Sequence, residues 1–340
     1  MKLMRGVNLG GYLSQCNHEM EHYENWIGKS DIDKIAGRGF DHVRLPVDYQ
    51  VFQDDDGNTR EYGYGFVERV VKWCESAGID VIIDLHKAYG YDFNFAGDKE
   101  QNNLFGSERL QERFVSLWSD IAKRFGKYKH VAFELLNEVV ENENAAPWNK
   151  LIARSVKAIR EYAKDSVIIY GGICWNSAST LKLLEKPMDS NIVFTFHFYE
   201  PLLFTHQKAG WVKNMDMNRV VNYPDSMEHY RKETATLSEQ GGTLNHIKAQ
   251  EIGTQLIEEL VSQAVDAAKN AGVQLYCGEF GVIDEAPVPD TLRWFEDVDA
   301  VFRRNGIGCA VWSYKEMNFG IVGEHYASIF ANLIKLWMAK

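Results

Sequence analysis

The sequence predicts a (β/α)8 barrel, the α/β architecture also called a TIM barrel, and three observations support that fold. Eight short apolar runs recur along the chain, and a longer segment, usually of helical period, follows each one. Several of these runs are apolar almost throughout, which is typical of parallel strands that helices cover on both faces. The chain has 340 residues, so residues 1–340 can form one barrel domain of roughly 250 residues plus insertions.

The strand predictions rest on runs of about five to eight residues that are rich in β-branched and aromatic side chains. These runs are Arg5–Leu9, His42–Val47, Asp80–His86, Val131–Glu138, Ser166–Gly172, Ile192–Tyr199, Gln274–Gly281 and Gly308–Tyr314. The segments VIIDL, VAFELL and IVFTF, in the third, fourth and sixth runs, are almost free of polar side chains. Such continuous apolar character indicates a parallel sheet rather than a half-exposed antiparallel one.

Helices are predicted between the strands and after the last one. Their approximate bounds are Ser30–Arg38, Phe66–Ser76, Glu108–Phe125, Trp148–Ala163, Ser179–Glu185, Ile252–Asn270, Thr291–Asn305 and Tyr326–Met338. Five glycines stand where a helix commonly ends, namely Gly39, Gly78, Gly126, Gly272 and Gly306. The alternation of strand and helix completes the pattern of eight βα units.

The largest surplus of sequence lies at residues 201–250, in the loop after the sixth strand. It contains Phe204, Trp211, Tyr223 and Tyr230, which is too much aromatic character for a linker. Long loops within a compact domain are usually functional or disordered, and the aromatic content favours the first. We therefore expect an inserted subdomain that lies over or beside the cleft.

Composition excludes several functional classes. The formal net charge of −11 opposes binding to nucleic acid or to anionic lipid, and no apolar run is long enough to span a bilayer. Five cysteines without CxxC spacing are expected to be reduced thiols. The N-terminus lacks the apolar stretch of a signal peptide, so the expectation is a cytoplasmic protein, or a secreted one whose signal peptide has been removed. We expect a monomer without nucleic-acid or membrane partners.

Polar residues follow the apolar runs at the ends of the predicted strands. In a barrel of this kind the active site lies at the carboxyl ends of the strands, so these residues are the candidates for a common site. They are Asn8, Arg44, Asp84, His86, Asn137, Glu138, His197, Tyr199, Glu279 and Trp312. Each is expected to face the same bowl.

Two of these strand-end residues, Glu138 and Glu279, are carboxylic acids on the fourth and seventh strands. Hydrolysis of a glycosidic bond needs one carboxyl group to protonate the leaving oxygen and another to attack or to activate water. Arg44 is placed to keep Glu279 ionised, whereas apolar and aromatic surroundings would raise the pKa of Glu138. The alternative is that each glutamate is a buried structural ion-pair partner.

Two other motifs suggest metal sites. His18 and His22 belong to an HExxH pattern, which on a helix binds zinc, but the segment NHEMEHYENW is charged and lacks the apolar periodicity of a buried helix. The run Asp54–Asn58 resembles part of a calcium loop but lacks the glutamate that closes one. A surface loop and an acidic turn are the simpler interpretations.

Tryptophans supply candidate sugar contacts, because their flat rings suit the apolar faces of sugars. Trp312 ends the eighth strand and Trp175 lies in the loop after the fifth, so both are predicted to bind substrate. Trp73, Trp118 and Trp337 lie on helix faces and are predicted to belong to the core.

Taken together, these motifs resemble glycoside hydrolase family 5 of clan A, the retaining cellulase-like barrels. The resemblance covers nearly the whole chain and is greatest to bacterial endoglucanases with a subdomain after strand six. It rests on RGVNLGG, HVRLP, VIIDLH, FELLNE, FTFHFY, YCGEFG and VWSY. Eight positions match the site of that family in type and order, and together they are highly specific.

The resemblance implies a role for each of these positions and no cofactor or metal. Glu138 would be the acid/base and Glu279 the nucleophile, and the substrate would be a β-glucan. The other implied roles are Asn137 on the sugar 2-hydroxyl, Arg44 and Tyr199 beside Glu279, His197 beside Glu138, His86 on substrate hydroxyls, and Trp312 as the floor before the scissile bond. The expected activity is endo-β-1,4-glucanase, on cellulose-like, mixed-linkage or glucomannan chains.

Two alternatives to that activity stay open. The sequence KAYG after His86 departs from the second histidine and proline of many relatives, and RGVNLGGYL is also similar to exo-β-1,3-glucanases of the family. Linkage and endo action are therefore less constrained than the mechanism. A non-catalytic carbohydrate-binding barrel is the alternative from another functional class, although it would have little use for both Glu138 and Glu279.

Overall fold

In the computed structural model the chain forms a closed barrel of eight parallel strands in sequential order. The structure describes every residue except Lys2, Met188, Ser238 and Lys340. The strands are β1 (Arg5–Asn8), β2 (His42–Asp48), β3 (Asp80–Lys87), β4 (Val131–Glu134), β5 (Ile168–Gly171), β6 (Ile192–Phe198), β7 (Gln274–Phe280) and β8 (Gly308–Val311). Each predicted strand overlaps one of them, with β2 and β3 extending one residue beyond the predicted end, so the (β/α)8 prediction is confirmed.

Helices connect the strands and surround the barrel. They are α1 (Met20–Asn25), α2 (Lys29–Gly37), α3 (Tyr49–Phe52), α4 (Glu61–Ala77), α5 (Glu108–Phe125), α6 (Ala145–Arg160), α7 (Leu202–Thr205), α8 (Met227–Thr234), α9 (Thr254–Ala271), α10 (Val288–Asn305) and α11 (Phe330–Met338). The predicted helix at Ser179–Glu185 is a 3-10 helix over Ala178–Leu183. The short helices α1, α3, α7 and α8 were not predicted, because they carry too few turns for a periodic pattern.

Helix ends follow the glycine signals in most cases. Gly78, Gly272 and Gly306 adopt left-handed conformations with φ between 66° and 74° and end α4, α9 and α10. Gly39 also has a positive φ, two residues beyond the end of α2 at Gly37. Gly126 also caps the end of α5 as predicted, but it does so in a right-handed conformation with φ −62°.

Each long helix packs an apolar stripe against the outside of the barrel. In α5 the buried positions Leu110, Phe114, Leu117, Trp118 and Ile121 recur every three or four residues. The indole N–H of Trp118 donates to the carbonyl of Leu135, 3.1 Å away, just beyond β4. Trp118 and Trp337 are buried as predicted, whereas Trp73 packs at the edge of the core and is only half-buried.

Inside the barrel an apolar layer supports a polar one. The lower layer consists of Ile82, Ala132, Ile169, Val193, Tyr276 and Ala310. Because alternate residues of a strand share a face, the positions two residues later also point inward. They include Asp84, Glu134 and Thr195, all buried. The apolar layer closes the bottom of the barrel, and the polar layer lies beneath the rim where the strands end.

Buried side chains of residues 201–250 belong to the same apolar core as those of the barrel. Phe204, Tyr223 and Tyr230 are buried there, and the carboxamide of Gln207 exchanges hydrogen bonds with Val221. The Tyr223 hydroxyl donates to Asp297 of α10 at 2.8 Å, which attaches the segment to the barrel.

Two sequence expectations concern membrane-spanning helices and the state of the cysteines. Among the described residues, no helix has the length and apolar character needed to cross a membrane. Cys74, Cys277 and Cys309 are buried as thiols, as expected for small apolar residues of helix and strand.

Candidate active site

Arg44 lies at the centre of the polar layer. Its side chain is fully buried. The guanidinium donates to Glu134 (2.8 and 2.9 Å), Asn137 (2.8 Å), Glu279 (2.8 Å) and Asn8 (3.0 Å), and it lies 3.0 Å from Asp84. The two contacts with Glu134 form a bidentate pair that fixes the plane of the guanidinium. Arg44 therefore connects β1, β2, β3, β4 and β7 through one rigid cation.

The charges around Arg44 are unequal, because three carboxyl groups surround one guanidinium. Burial opposes the charged form of Arg44, but the neighbouring carboxylates raise its pKa well above the usual value. Burial raises the pKa of Asp84 to about 7 and raises that of Glu134 as well, although Arg44 acts in the opposite direction on both. Part of the excess negative charge can thus be removed by protonation near neutral pH.

Glu138 lies just beyond β4 in a nearly water-free position. Its side chain is 11% exposed, and one carboxyl oxygen lies 2.7 Å from Nδ1 of His197. Burial raises the pKa of Glu138 to about 7, and it lowers the pKa of His197 to about 4. A neutral imidazole therefore contacts a carboxyl group that can hold or release a proton near neutral pH.

Glu279 is surrounded by hydrogen-bond donors. It accepts from Arg44 at 2.8 Å and from the Tyr199 hydroxyl at 3.0 Å, while its second oxygen lies 3.7 Å from Nδ1 of His197. The two donors, a guanidinium and a phenol, fix the direction of the Glu279 oxygens.

The two glutamates meet across the bowl. One carboxylate oxygen of Glu138, one of Glu279 and a ring nitrogen of His197 all lie within 4.8 Å of one another. Residues that are 141 positions apart in the chain (279 minus 138) are thus brought together by barrel closure. The parallel register supports this arrangement, because His197 pairs directly with Glu279 in neighbouring strands β6 and β7.

His86 and Trp312 form the apolar side of the bowl. Their rings are parallel within 3°, with centroids 5.8 Å apart, and Trp312 is only 6% exposed. Nδ1 of His86 lies 2.7 Å from Asp84, and Nε2 lies 3.2 Å from the carboxamide nitrogen of Gln15. Both ring nitrogens of His86 are therefore engaged by protein groups.

Trp175 is the predicted site residue with the weakest connection to this network. It is half-buried in the loop after β5 and has a positive φ of 55°. Its backbone N–H donates to the carbonyl of Val139 at 3.2 Å, so its loop lies beside the residue that follows Glu138. A separate tryptophan, Trp148, is buried in α6, where its indole N–H donates to the carbonyl of Gly171.

Sequence reasoning missed Glu134 and Gln15 as parts of the site. Glu134 is fully buried within the apolar run of β4, and an isolated charge in such a run was the available signal. Gln15 lies in a loop, where a single polar residue carries no periodic signal. Asn8 and Asp84 were recognised as strand-end polar residues but had no assigned partner before the contacts with Arg44 were seen.

The two metal motifs adopt other structures. Helix α1 begins at Met20, so His18 lies outside it with φ 58°, and the two histidines do not share a helical face. His18 contacts Asp48, whereas His22 contacts the carbonyl of Gly11. Asp54 accepts from Asn58 through both carboxylate oxygens, so this segment is a closed turn.

The cluster of Glu138, His197 and Glu279 also has the ligand types of a cation site. Protein groups already contact these ligand atoms, however, because Glu279 accepts from Arg44 and Tyr199 while Glu138 contacts His197. The adjacent guanidinium of Arg44 further opposes a second cation.

Comparison with known proteins agrees with this geometry. The model of the cellulase family, glycosyl hydrolase family 5, matches residues 6–318. Endoglucanase C of Acetivibrio thermocellus is 39% identical over 339 residues, which cover 97% of this chain and 96% of the relative. Cellodextrinase A of Ruminococcus flavefaciens is 37% identical over 306 residues, which cover 90% of this chain and 83% of the relative.

Solved structures extend the similarity to the whole fold. Endoglucanase Cel5A of Thermotoga maritima has a TM-score of 0.73 at 25% identity, with 99% of this chain and 97% of that protein covered. That enzyme has been solved with cellobiose and with mannotriose. Subunit Z of the cellulose synthase of Clostridioides difficile has a TM-score of 0.76 at 26% identity, covering 98% of this chain and 100% of that protein. The chain therefore belongs to glycosyl hydrolase family 5.

Proposed function

We propose that this glycoside hydrolase is an endo-β-1,4-glucanase that cleaves with retention of anomeric configuration. The observation that carries the proposal is the separation of Glu138 and Glu279, whose nearest oxygens lie within 4.8 Å. Retaining enzymes hold their two carboxyl groups about 5 to 5.5 Å apart, whereas inverting enzymes need roughly 6.5 to 9.5 Å to admit water. The short distance favours direct attack by a carboxylate on the sugar.

In the first step Glu279 attacks the anomeric carbon and Glu138 gives its proton to the departing glycosidic oxygen. Arg44 and Tyr199 direct the Glu279 oxygens, and the pKa of Glu138, raised by burial to about 7, keeps that acid protonated in mildly acidic solution. The product is a glycosyl ester on Glu279 together with a free sugar end. In the second step Glu138 takes a proton from water, which hydrolyses the ester.

Asn137 supports the sugar that is being cleaved. Its Oδ1 accepts from Arg44 at 2.8 Å, which leaves both hydrogens of its Nδ2 as donors. This orientation suits a hydrogen bond to the 2-hydroxyl, the contact that strengthens in the transition state of glycoside hydrolysis. His197 remains neutral and orients Glu138 through their 2.7 Å contact.

The preferred substrate is a β-1,4-linked glucan chain, including mixed-linkage glucan and glucomannan. Its support comes from the relatives described as endoglucanase and cellodextrinase and from the cellobiose and mannotriose complexes of the Thermotoga enzyme. Trp312 is the floor for the sugar before the scissile bond, and Trp175 contributes a further contact. We propose that residues 201–250 border the cleft and that the enzyme acts as a monomer.

Substitution of the two glutamates tests the chemistry. Glu138→Gln and Glu279→Gln should each reduce hydrolysis of barley β-glucan at least ~100-fold, because a general acid alone contributes about 10²- to 10⁴-fold. Glu258→Gln on the exposed side of α9 is the matched control and should retain full activity. Reducing-sugar release measures the rates, and circular dichroism verifies the fold. Near-normal turnover in either site variant contradicts the proposal.

Stereochemistry and product size test the remaining parts. Proton NMR during early hydrolysis of cellopentaose should show the β-anomer of the new reducing end first, and an initial α-anomer would exclude retention. An endo enzyme should shorten barley β-glucan to mixed oligosaccharides and act poorly on laminarin. Release of glucose alone from laminarin would instead indicate the exo-β-1,3 alternative, and binding of oligosaccharide without hydrolysis would indicate a carbohydrate-binding barrel.

A further inference from the structure

Gln15 occupies a position beside the bowl that the mechanism so far leaves unused. It lies in the loop after β1 with φ 53°, and its carboxamide nitrogen is 3.2 Å from Nε2 of His86. Its side chain is half-buried, so one part contacts the protein and another reaches solvent. No other described residue of this loop forms a hydrogen bond with His86.

The protonation of His86 determines which atom of Gln15 is free. Burial lowers the pKa of His86 to about 4, so the ring is neutral at ordinary pH and carries one N–H. Nδ1 faces Asp84 at 2.7 Å. Burial raises the pKa of Asp84 to about 7, so above that pH Asp84 is a carboxylate that accepts the N–H. Nε2 is then an acceptor, and the amide N–H of Gln15 donates to it.

In this orientation both lone pairs of the Gln15 Oε1 atom are available to accept hydrogen bonds. None of the residues that the structure describes donates a hydrogen bond to that oxygen, although the opposite end of the carboxamide is fixed by His86. A fixed acceptor at the edge of a sugar-binding bowl is complementary to a hydroxyl group. His86 in turn has no free ring nitrogen, so its action on substrate passes through Gln15.

We propose that Gln15 is a substrate-binding residue whose Oε1 accepts a hydrogen bond from a hydroxyl of the glucan chain, and that His86 positions it. This inference rests on the proposed function and identifies one polar contact of that same cleft. The sugar concerned is one that lies near Trp312, since the Trp312 ring is parallel to the His86 ring. The expected role of His86 in holding hydroxyls is thereby reassigned to the residue that it orients.

The loop that carries Gln15 is held in place before substrate arrives. Asp48, at the end of β2, accepts from the backbone N–H of Gln15 at 3.0 Å and from the Ser14 hydroxyl at 2.7 Å. Nε2 of His18 lies 3.2 Å from the same carboxylate. Three contacts on a buried carboxylate fix the loop, so little conformational entropy is lost when Gln15 binds a hydroxyl.

Removal of the carboxamide is the first test. Gln15→Leu should reduce kcat/KM for 4-nitrophenyl β-cellobioside roughly 10-fold, the size expected for one lost neutral hydrogen bond that leaves a polar partner unpaired. Gln15→Met keeps an unbranched side chain and should show the same loss of kcat/KM. Agreement between the two variants excludes a disturbance of the loop by the branched leucine as the cause. Gln111→Leu is the matched control, because Gln111 contacts Phe105 and Arg154 on the outside of the barrel. An unchanged kcat/KM in both Gln15 variants overturns the proposal.

Monodeoxy analogues distinguish a substrate contact from a purely structural role. For one monodeoxy 4-nitrophenyl β-cellobioside, the wild-type protein should lose about as much kcat/KM as Gln15→Leu loses on the parent sugar. The Gln15→Leu variant should then hardly distinguish that analogue from the parent, because the partner oxygen is already gone. Equal losses for every analogue in both proteins would show that Gln15 acts only on structure, which overturns the proposal.

A binding measurement separates this inference from the proposed function. In a Glu138→Gln background, calorimetric affinity for cellotetraose should fall roughly 10-fold on addition of Gln15→Leu. This result would support the Gln15 contact even if the wild-type protein failed to hydrolyse any glucan. Conversely, the protein could hydrolyse glucan while substitution of Gln15 changes neither its cellotetraose affinity nor its kcat/KM. That result would retain the proposed function and refute the Gln15 contact.

Discussion

Glu138 and Glu279 have the same functional group but different surroundings. Glu138 contacts a neutral imidazole and no cation, and burial raises its pKa to about 7. Glu279 instead accepts from a guanidinium and a phenol. In the proposed mechanism this difference suits Glu138 to the acid role and Glu279 to the nucleophile role.

The pH dependence of activity should reflect the ionisation of Glu138. Because the proton of Glu138 is needed for the first step, kcat/KM on cellotetraose should decline as the pH rises through about 7, where this carboxyl group ionises. With 2,4-dinitrophenyl β-cellobioside, whose leaving group needs little acid assistance, the Glu138→Gln variant should show no such decline. A decline of equal size in that variant would assign the titration to another group.

The loop between β1 and α1 is held in place by contacts with Asp48. His18 and His22, which suggested a zinc motif, serve different contacts there. Burial lowers the pKa of His18, but hydrogen bonds to Asp48 and Cys16 outweigh it and raise the pKa to about 9. His18 is therefore a cation at neutral pH, and it pairs with the carboxylate that also holds Gln15. Its role is to hold the loop.

Substitution of His18 should weaken that loop in a pH-dependent manner. Its pKa is higher in the folded protein than the usual 6.5, so the ion pair stabilises fully below about 6.5 and is lost as the pH rises through about 9. His18→Gln should reduce the free energy of unfolding by roughly 1–3 kcal/mol at pH 6 and by much less above pH 9.5. Urea titrations at both pH values measure the difference, and an equal loss at both would contradict the ion pair.

At the scale of the whole molecule, the Arg44 network is both catalytic framework and structural constraint. One guanidinium contacts residues from four other strands, and Asp84 and Glu134 have no exposed surface. A buried charge network of this kind is costly to break, because each remaining carboxylate is left without a counter-ion. The site and the upper half of the barrel therefore depend on the same residue.

Arg44→Met should destabilise the barrel by about 3–5 kcal/mol at pH 8, the usual cost of leaving buried charges unpaired. The deficit should shrink at pH 5, because burial already raises the pKa of Asp84 and Glu134 and the missing cation would raise them further. Chemical denaturation at both pH values tests this, with the exposed Arg304→Met as control. A deficit that is the same at both values would exclude unpaired carboxylates as its cause.

The sequence by itself determined the barrel, its eight strands and the family. These features depend on local patterns, because a parallel strand covered on both faces must be apolar throughout and a barrel places its polar strand ends on one rim. Glu138 and Glu279 were recognised in this way near the ends of apolar runs, and Arg44 was recognised as a charge within one. The bounds of α5, Glu108–Phe125, were also predicted to the residue.

Only the tertiary structure decided which side chains meet. The bidentate pair of Arg44 with Glu134 and the contact of Gln15 with His86 were not predicted, and both join residues far apart in the chain. Such contacts depend on strand register and barrel closure, and β6 and β7 shift register at His197, next to the site. A shift of one residue turns a side chain to the opposite face, and no local pattern encodes it.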